Sequence, residues 1–225
     1  MTRVAVLHTS FVFVTVEPVI NDLLAELLPG AEVIHFVDSD VLAQVGRDGG
    51  ITEQSTQRMV HLAEAAEAAG VDAIFSACSS LGPTMDVAKQ TVRTPIIKID
   101  DAMALKAATS GTDVGVLATL PTTLDPTSDL VLAKAAEVVR TVSIHQRLAE
   151  GAFDVLMSGD RDRHDDMVSH EAAELAKEVD LIVLAQASMA RLAPRLSEET
   201  GLPVLASPRM GVEDFAQRVR AMGTE

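Results

Sequence analysis

Residues 71–80 read VDAIFSACSS, and residues 179–188 read VDLIVLAQAS. Val, Asp, Ile, Ala and Ser recur in register between them, at an offset of 108 (179 less 71). Each is a short apolar run that ends in small polar residues, the form of a strand buried on both faces and opening into a loop. Upstream, VAVLHTS from Val4 matches VGVLATL from Val114; downstream, TPIIKI from Thr94 matches LPVLAS from Leu202. Three matches in the same order, at nearly constant spacing, identify two homologous lobes.

The rest of the chain keeps this rhythm. Val4–Leu7, Glu32–Val37, Ala73–Ser76 and Pro95–Ile99 read as strands, separated by helical patterns over Glu17–Leu28, Thr52–Ala69 and Pro83–Gln90. Val114–Ala118, Thr141–His145, Leu181–Ala185 and Pro203–Ala206 repeat it, interleaved with Ser128–Val139, His164–Glu178 and Ala187–Glu199. Strands alternating with helices imply βαβ units and parallel sheets covered on both faces. The expected fold is α/β: two pseudo-symmetric Rossmann-like lobes, each a mostly parallel four-stranded sheet covered by helices, with the active site in the inter-lobe cleft. The polar turn TSGTD places the lobe boundary near Ala107–Thr112. Residues 1–107 with 211–225 then form the first lobe and 108–210 the second, helix Gly211–Met222 packing back on the first.

Composition removes several functions. Of the 225 residues, 48% are apolar and 3% aromatic, with no Trp or Tyr, so the core is aliphatic and offers little for bases to stack on. Eighteen Lys and Arg against 33 Asp and Glu give a net charge of −15, which repels phosphate backbones and anionic lipid. Nucleic acid and membrane surfaces are therefore set aside as partners. No run approaches the ~18 apolar residues of a membrane span, and MTRVAVLHTS enters a strand directly, without a signal-peptide core. The single cysteine permits no internal disulfide. Together these features suit a cytoplasmic protein.

In parallel α/β sheets, ligands bind at the carboxyl ends of the strands. Four small polar clusters fall there: His8-Thr9-Ser10, Cys78-Ser79-Ser80, Thr119 to Thr123, and Gln186-Ala187-Ser188. Helix N-terminal amides and short hydroxyls hold a carboxylate without Lys or Arg, as an acidic chain requires. One such cluster alone would read as an N-cap; four, repeated between lobes, point to an anion cleft.

Over essentially its whole length the chain resembles the aspartate/glutamate/hydantoin racemase superfamily. The resemblance rests on Ala77-Cys78-Ser79-Ser80, on Ala118-Thr119-Leu120-Pro121-Thr122-Thr123, and on Leu184-Ala185-Gln186-Ala187-Ser188-Met189-Ala190. The Thr119–Thr122 pair is similar to the family's ATxxT loop, and the last segment to its LGCAGMA stretch. Gly151-Ala152-Phe153 and His164-Asp165 also resemble that group. The resemblance implies a cofactor-independent enzyme, often dimeric, in which two cysteines face each other across the cleft. One removes a proton α to a carboxylate and the other delivers one to the opposite face. Cys78 stands at the first cysteine position, with Thr9, Ser10, Ser79, Ser80, Thr119, Thr122, Thr123, Gln186, Ala187 and Ser188 around the substrate. The second cysteine position holds Gln186, whose amide neither takes nor gives a proton near neutral pH.

One thiol leaves three readings. An isomerase acts on a small carboxylate or cyclic ureide either by proton transfer through Cys78 and a non-thiol base, His8, on the strand expected beside that of Cys78, or by nucleophilic attack of Cys78, as the resemblance to maleate isomerases implies. A lyase resembling arylmalonate decarboxylase protonates one face of an enediolate, with Phe11, Phe13 and Met189 lining an apolar pocket. A sensor keeps the pocket without turnover. No metal is called for: His164 and His170 lie six residues apart on different helix faces. GRDGG from Gly46 reads as an ordinary loop, Asp160–Asp166 as a solvated helix start, and Asp100-Asp101 as a cap. Met189 and Met210 read as core.

Overall fold

Runs such as Val4–Leu7 and Leu181–Leu184 are apolar without a break, so both faces must be covered, and each becomes an interior strand of a parallel sheet. In the computed structural model, which describes residues 1–15 and 18–223 without the side chains of Val12 and Phe13, the strands form two separate four-stranded sheets. The strands are β1 (Arg3–His8), β2 (Glu32–Val37), β3 (Ala73–Ser76), β4 (Ile96–Lys98), β5 (Asp113–Ala118), β6 (Ser143–Leu148), β7 (Leu181–Leu184) and β8 (Val204–Ala206). The orders are β2-β1-β3-β4 and β6-β5-β7-β8, every pairing parallel. The duplication extends to register: Leu7 pairs with Ser76 as Leu117 pairs with Leu184.

The chain divides into two compact units, Met1–Ile99 with Pro208–Glu225, and Asp100–Ser207. The division falls before helix Asp101–Ser110 rather than in the TSGTD turn, because that helix packs on helix Leu124–Glu137 and on β7 and β8. Asp100 takes the N-cap position of this helix without a side-chain cap bond. In unit 1, helix Ser207–Met222 packs on the first sheet, where Phe215 meets Phe75 at a ring separation of 5.1 Å. Its close approach depends on Gly211, where a Cβ would lie 2.1 Å from the Ile99 carbonyl oxygen.

Among the described residues, four helices have no range in the sequence reading: Asp101–Ser110, of which only the cap is read, and three others. Val41–Asp48 absorbs the start of GRDGG because Val41, Gln44 and Val45 make a buried stripe at helical spacing. Gly49 ends that helix at φ 75, the left-handed region glycine favours. Ala152–Met157 and Val12–Thr15 are too short for a periodic signal. The segment Ala187–Glu199 splits into a tight turn, Ala187–Leu192, and a helix, Ala193–Thr200, with Pro194 in its first turn. The expected start of helix Glu17–Leu28 lies outside the described residues; the helix observed is Val19–Leu27.

Candidate functional site

In unit 2 the sheet ends in a pocket of donors. The β5–β7 ladder continues one step past the strands, Ala185 N–H donating to the Leu117 carbonyl at 2.9 Å. Gln186 follows in extended conformation (φ −138, ψ 138), and the chain then turns tightly through Ala187–Leu192. Its side chain folds against the loop after β5. The amide oxygen Oε1 accepts from Thr119 N–H at 2.6 Å, from the Thr119 hydroxyl at 3.0 Å and from Leu120 N–H at 3.2 Å. Thr123 steadies that loop by donating its hydroxyl to the Leu120 carbonyl at 2.8 Å. Thr119, Thr123 and Gln186 are buried, while Thr122, Ala187 and Ser188 are half-buried. Three donors aimed at one oxygen form the arrangement that stabilises an oxyanion.

Unit 1 repeats the backbone. Ala77 N–H donates to the Leu7 carbonyl at 3.0 Å, Cys78 is extended (φ −134, ψ 111), and a tight turn Ser79–Leu81 leads into helix Gly82–Ala88. Thr84 anchors that turn by donating its hydroxyl to the Leu81 carbonyl at 2.6 Å. Cys78 thus stands where Gln186 stands in unit 2, and Thr9 and Ser10 where Thr119 and Leu120 stand. Cys78, Ser79 and Ser10 are half-buried; Thr9 and Ser80 are buried.

β1 and β3 are neighbours, as expected, but the pleat turns His8 and Cys78 to opposite faces. Cys78 packs against the cluster of Ala5, Leu7, Ile74, Leu81 and Met85. His8, one residue on from Leu7, faces the other way and meets His35 of β2, Nε2 to Nδ1, at 3.1 Å. One imidazole donates and the other accepts. Burial, then the neighbouring His35, pushes the His8 pKa down to about 4, and burial also lowers that of His35. His8 is therefore a neutral ring near pH 7.

A second polar group was hidden in a run read as solvated. Asp160 caps its helix by accepting from Arg163 N–H, as a helix start should. His164 and Asp165 are buried, however, and Arg191 of the turn after Gln186 reaches over Asp165. Asp165 accepts two bonds at 2.5 Å from Arg191 and lies 2.8 Å from His164 Nδ1. Burial pushes the Asp165 pKa up, and the bonds from Arg191 and His164 more than reverse it, leaving it below the ordinary carboxylate value. His164 Nε2 is buried without a partner among the described residues. The sequence signal for this group was a basic residue five positions after Gln186; for His35 it was a polar residue inside a strand.

The residues suggested for an apolar pocket belong to different units and are placed one by one. Phe11 is exposed, Met189 is fully buried in the unit 2 core, and the Phe13 side chain lies outside the described residues. Among the described residues no three His, Cys, Asp or Glu side chains are grouped to hold a metal ion, and no helix is long and apolar enough to cross a membrane.

A family model described as Asp/Glu/hydantoin racemase matches residues 14–215. No curated protein matches the chain. Among solved structures, a glutamate racemase isoform from Bacillus anthracis aligns over 99% of this chain and 83% of its own, at 16% identity and a TM-score of 0.77. A putative Asp/Glu racemase from Yersinia pestis aligns over 98% and 100%, at 16% identity and TM-score 0.74. An allantoin racemase from Klebsiella pneumoniae aligns over 99% and 89%, at 22% identity and TM-score 0.66. At these identities the likeness is one of fold.

Proposed function

Because the chain belongs to the Asp/Glu/hydantoin racemase family, we propose that it is a single-thiol isomerase in which Cys78 moves a proton at the carbon α to a carboxylate or ureide carbonyl of a small substrate. The observation that carries this reading is the placement of Cys78: a half-buried thiol at a strand end whose duplicate in unit 2 is a three-donor oxyanion pocket.

In this mechanism the Cys78 thiolate takes the α-proton. The C–H electron pair moves into the carbonyl group, giving a thiol and an enediolate. The developing oxyanion is held by amides and hydroxyls of Thr9, Ser10, Ser79 and Ser80, and no cofactor is required. Return of the proton from Cys78 to the same face restores the substrate; inversion takes a proton from solvent water on the other face, leaving hydroxide that the Cys78 thiol neutralises to regenerate the thiolate. Gln186 cannot deliver that proton. His8 is a poor second base, since it is turned to the opposite face of its sheet and holds a proton weakly.

That last point favours a second reading, one-faced protonation after loss of carbon dioxide. Incubation with chiral α-substituted acids, hydantoins and malonates in heavy water separates the two. Deuterium uptake with loss of handedness supports the isomerase; uptake only alongside carbon dioxide release assigns a lyase. Cys78→Ser should abolish either reaction with the fold intact, and full activity in that variant would refute both readings.

A further inference from the structure

Gln186 stands where the family resemblance calls for a second cysteine, yet its side chain does not reach out as a substitute reactive group. Its oxygen is consumed by the chain itself: Thr119 N–H, Thr119 Oγ1–H and Leu120 N–H converge on it at 2.6, 3.0 and 3.2 Å. A flipped amide would set an NH2 group against two backbone N–H donors, which cannot accept, and lose both of those bonds, while only the Thr119 hydroxyl could reverse its own; the oxygen-inward orientation is therefore the favoured one. Gln186 is 8% exposed and Thr119 3% exposed, so these donors are screened from bulk water, where an unmet donor is costly.

We propose that unit 2 retains a complete carboxylate-binding pocket, formed by Thr119 and Leu120, and that the Gln186 carboxamide is its built-in occupant. The amide carbonyl sits as one oxygen of a bound carboxylate would sit. Two consequences follow for the chemistry proposed above, on which only they depend. Unit 2 transfers no proton, and the group that Gln186 has left to offer a substrate is its Nε2, a pair of N–H donors suited to a carboxylate or carbonyl oxygen.

The test uses the full chain and two substitutions at Gln186, each also combined with Cys78→Ser. Gln186→Ala removes the occupant and strands buried donors, so Tm should fall by about 5 °C, the scale of one to two lost buried hydrogen bonds in a chain of this size. Millimolar sodium formate, the smallest carboxylate, should restore most of that loss saturably in Gln186→Ala. It should leave the wild-type Tm unmoved relative to equimolar sodium chloride. Gln186→Glu keeps the shape and presents a carboxylate oxygen to the same donors, so its Tm should equal or exceed that of the wild type. Formate stabilising the wild type as much as Gln186→Ala would overturn the proposal, as would a Gln186→Glu Tm several degrees below wild type. The second outcome remains decisive if Gln186→Ala fails to fold. Placing Cys78→Ser in each background leaves these shifts unchanged, so failure of the thiol mechanism and failure of the pocket are read separately.

Discussion

Acid should destabilise this protein through His8, by an amount that follows from where the ring lies. The side chain is 1% exposed, and burial with the adjacent His35 holds its pKa at about 4 against 6.5 for a free imidazole. Between those values the unfolded chain binds a proton that the folded chain refuses, so stability rises with pH across the window. The contribution of His8 is fully present above about pH 6.5 and lost as pH falls towards 4. Integrating the linkage gives a loss of about 2 kcal/mol by pH 5 and about 3 kcal/mol by pH 4. The comparison is His8→Gln, which keeps an amide able to bond His35 Nδ1 but cannot titrate. With no Trp or Tyr to report unfolding, urea denaturation is followed by far-ultraviolet circular dichroism from about pH 7.5 to pH 4. His35 titrates in both proteins, and its own lowered pKa affects both alike. Wild type should lose about 3 kcal/mol more than His8→Gln over that range. A difference constant to within about 0.5 kcal/mol would refute the assignment of His8 as a buried, neutral ring.

Gly211→Ala should cost about 3 kcal/mol or more, since its Cβ would sit 2.1 Å from a backbone oxygen that cannot swing aside; a Tm within about 2 °C of wild type would contradict this packing. Gly115→Ala should be milder, because the atoms it meets at 2.7 Å belong to the Leu175 side chain, which has rotamers to move through; thermal melts of the two variants give the ranking directly. Arg191→Met should cost about 3 kcal/mol by leaving the buried Asp165 carboxylate without its cation. Adding Asp165→Asn to Arg191→Met should recover part of that loss, and a double-mutant cycle in urea measures how much.

Much of this protein is legible from local pattern. Each strand has a counterpart in the sequence reading: β1, β3 and β7, covered on both faces, are near-continuous apolar runs, whereas the edge strands β2 and β6 carry polar residues, and the expected Thr141–His145 overlaps β6 only over Ser143–His145. The repeat of VDAIFSACSS as VDLIVLAQAS announced two similar units, and the common register of Leu7 with Ser76 and Leu117 with Leu184 follows from it. Small polar residues at the strand ends marked where a site would lie, since parallel sheets expose strand-end loops and helix amides together.

What remained closed to sequence reading was the direction in which side chains point and what they meet. His8 and Cys78 end neighbouring strands, but a one-residue difference in pleat phase turns them to opposite faces, and His35, distant in the chain, becomes the partner of His8. Asp165 looked like one more surface acid until Arg191, 26 residues on, closed over it. The bonds of Gln186 depend on which of its two amide atoms faces the Thr119 loop, and the donors that converge on its oxygen come from a segment 66 and 67 residues away in the chain. Periodicity and composition act along the chain and were enough to set the strands and most of the longer helices, but not the short helices such as Ala152–Met157. Partners at long sequence separation, and the donors each polar atom meets, arise only when the strands are side by side, because hydrogen bonds and burial depend on distance in space.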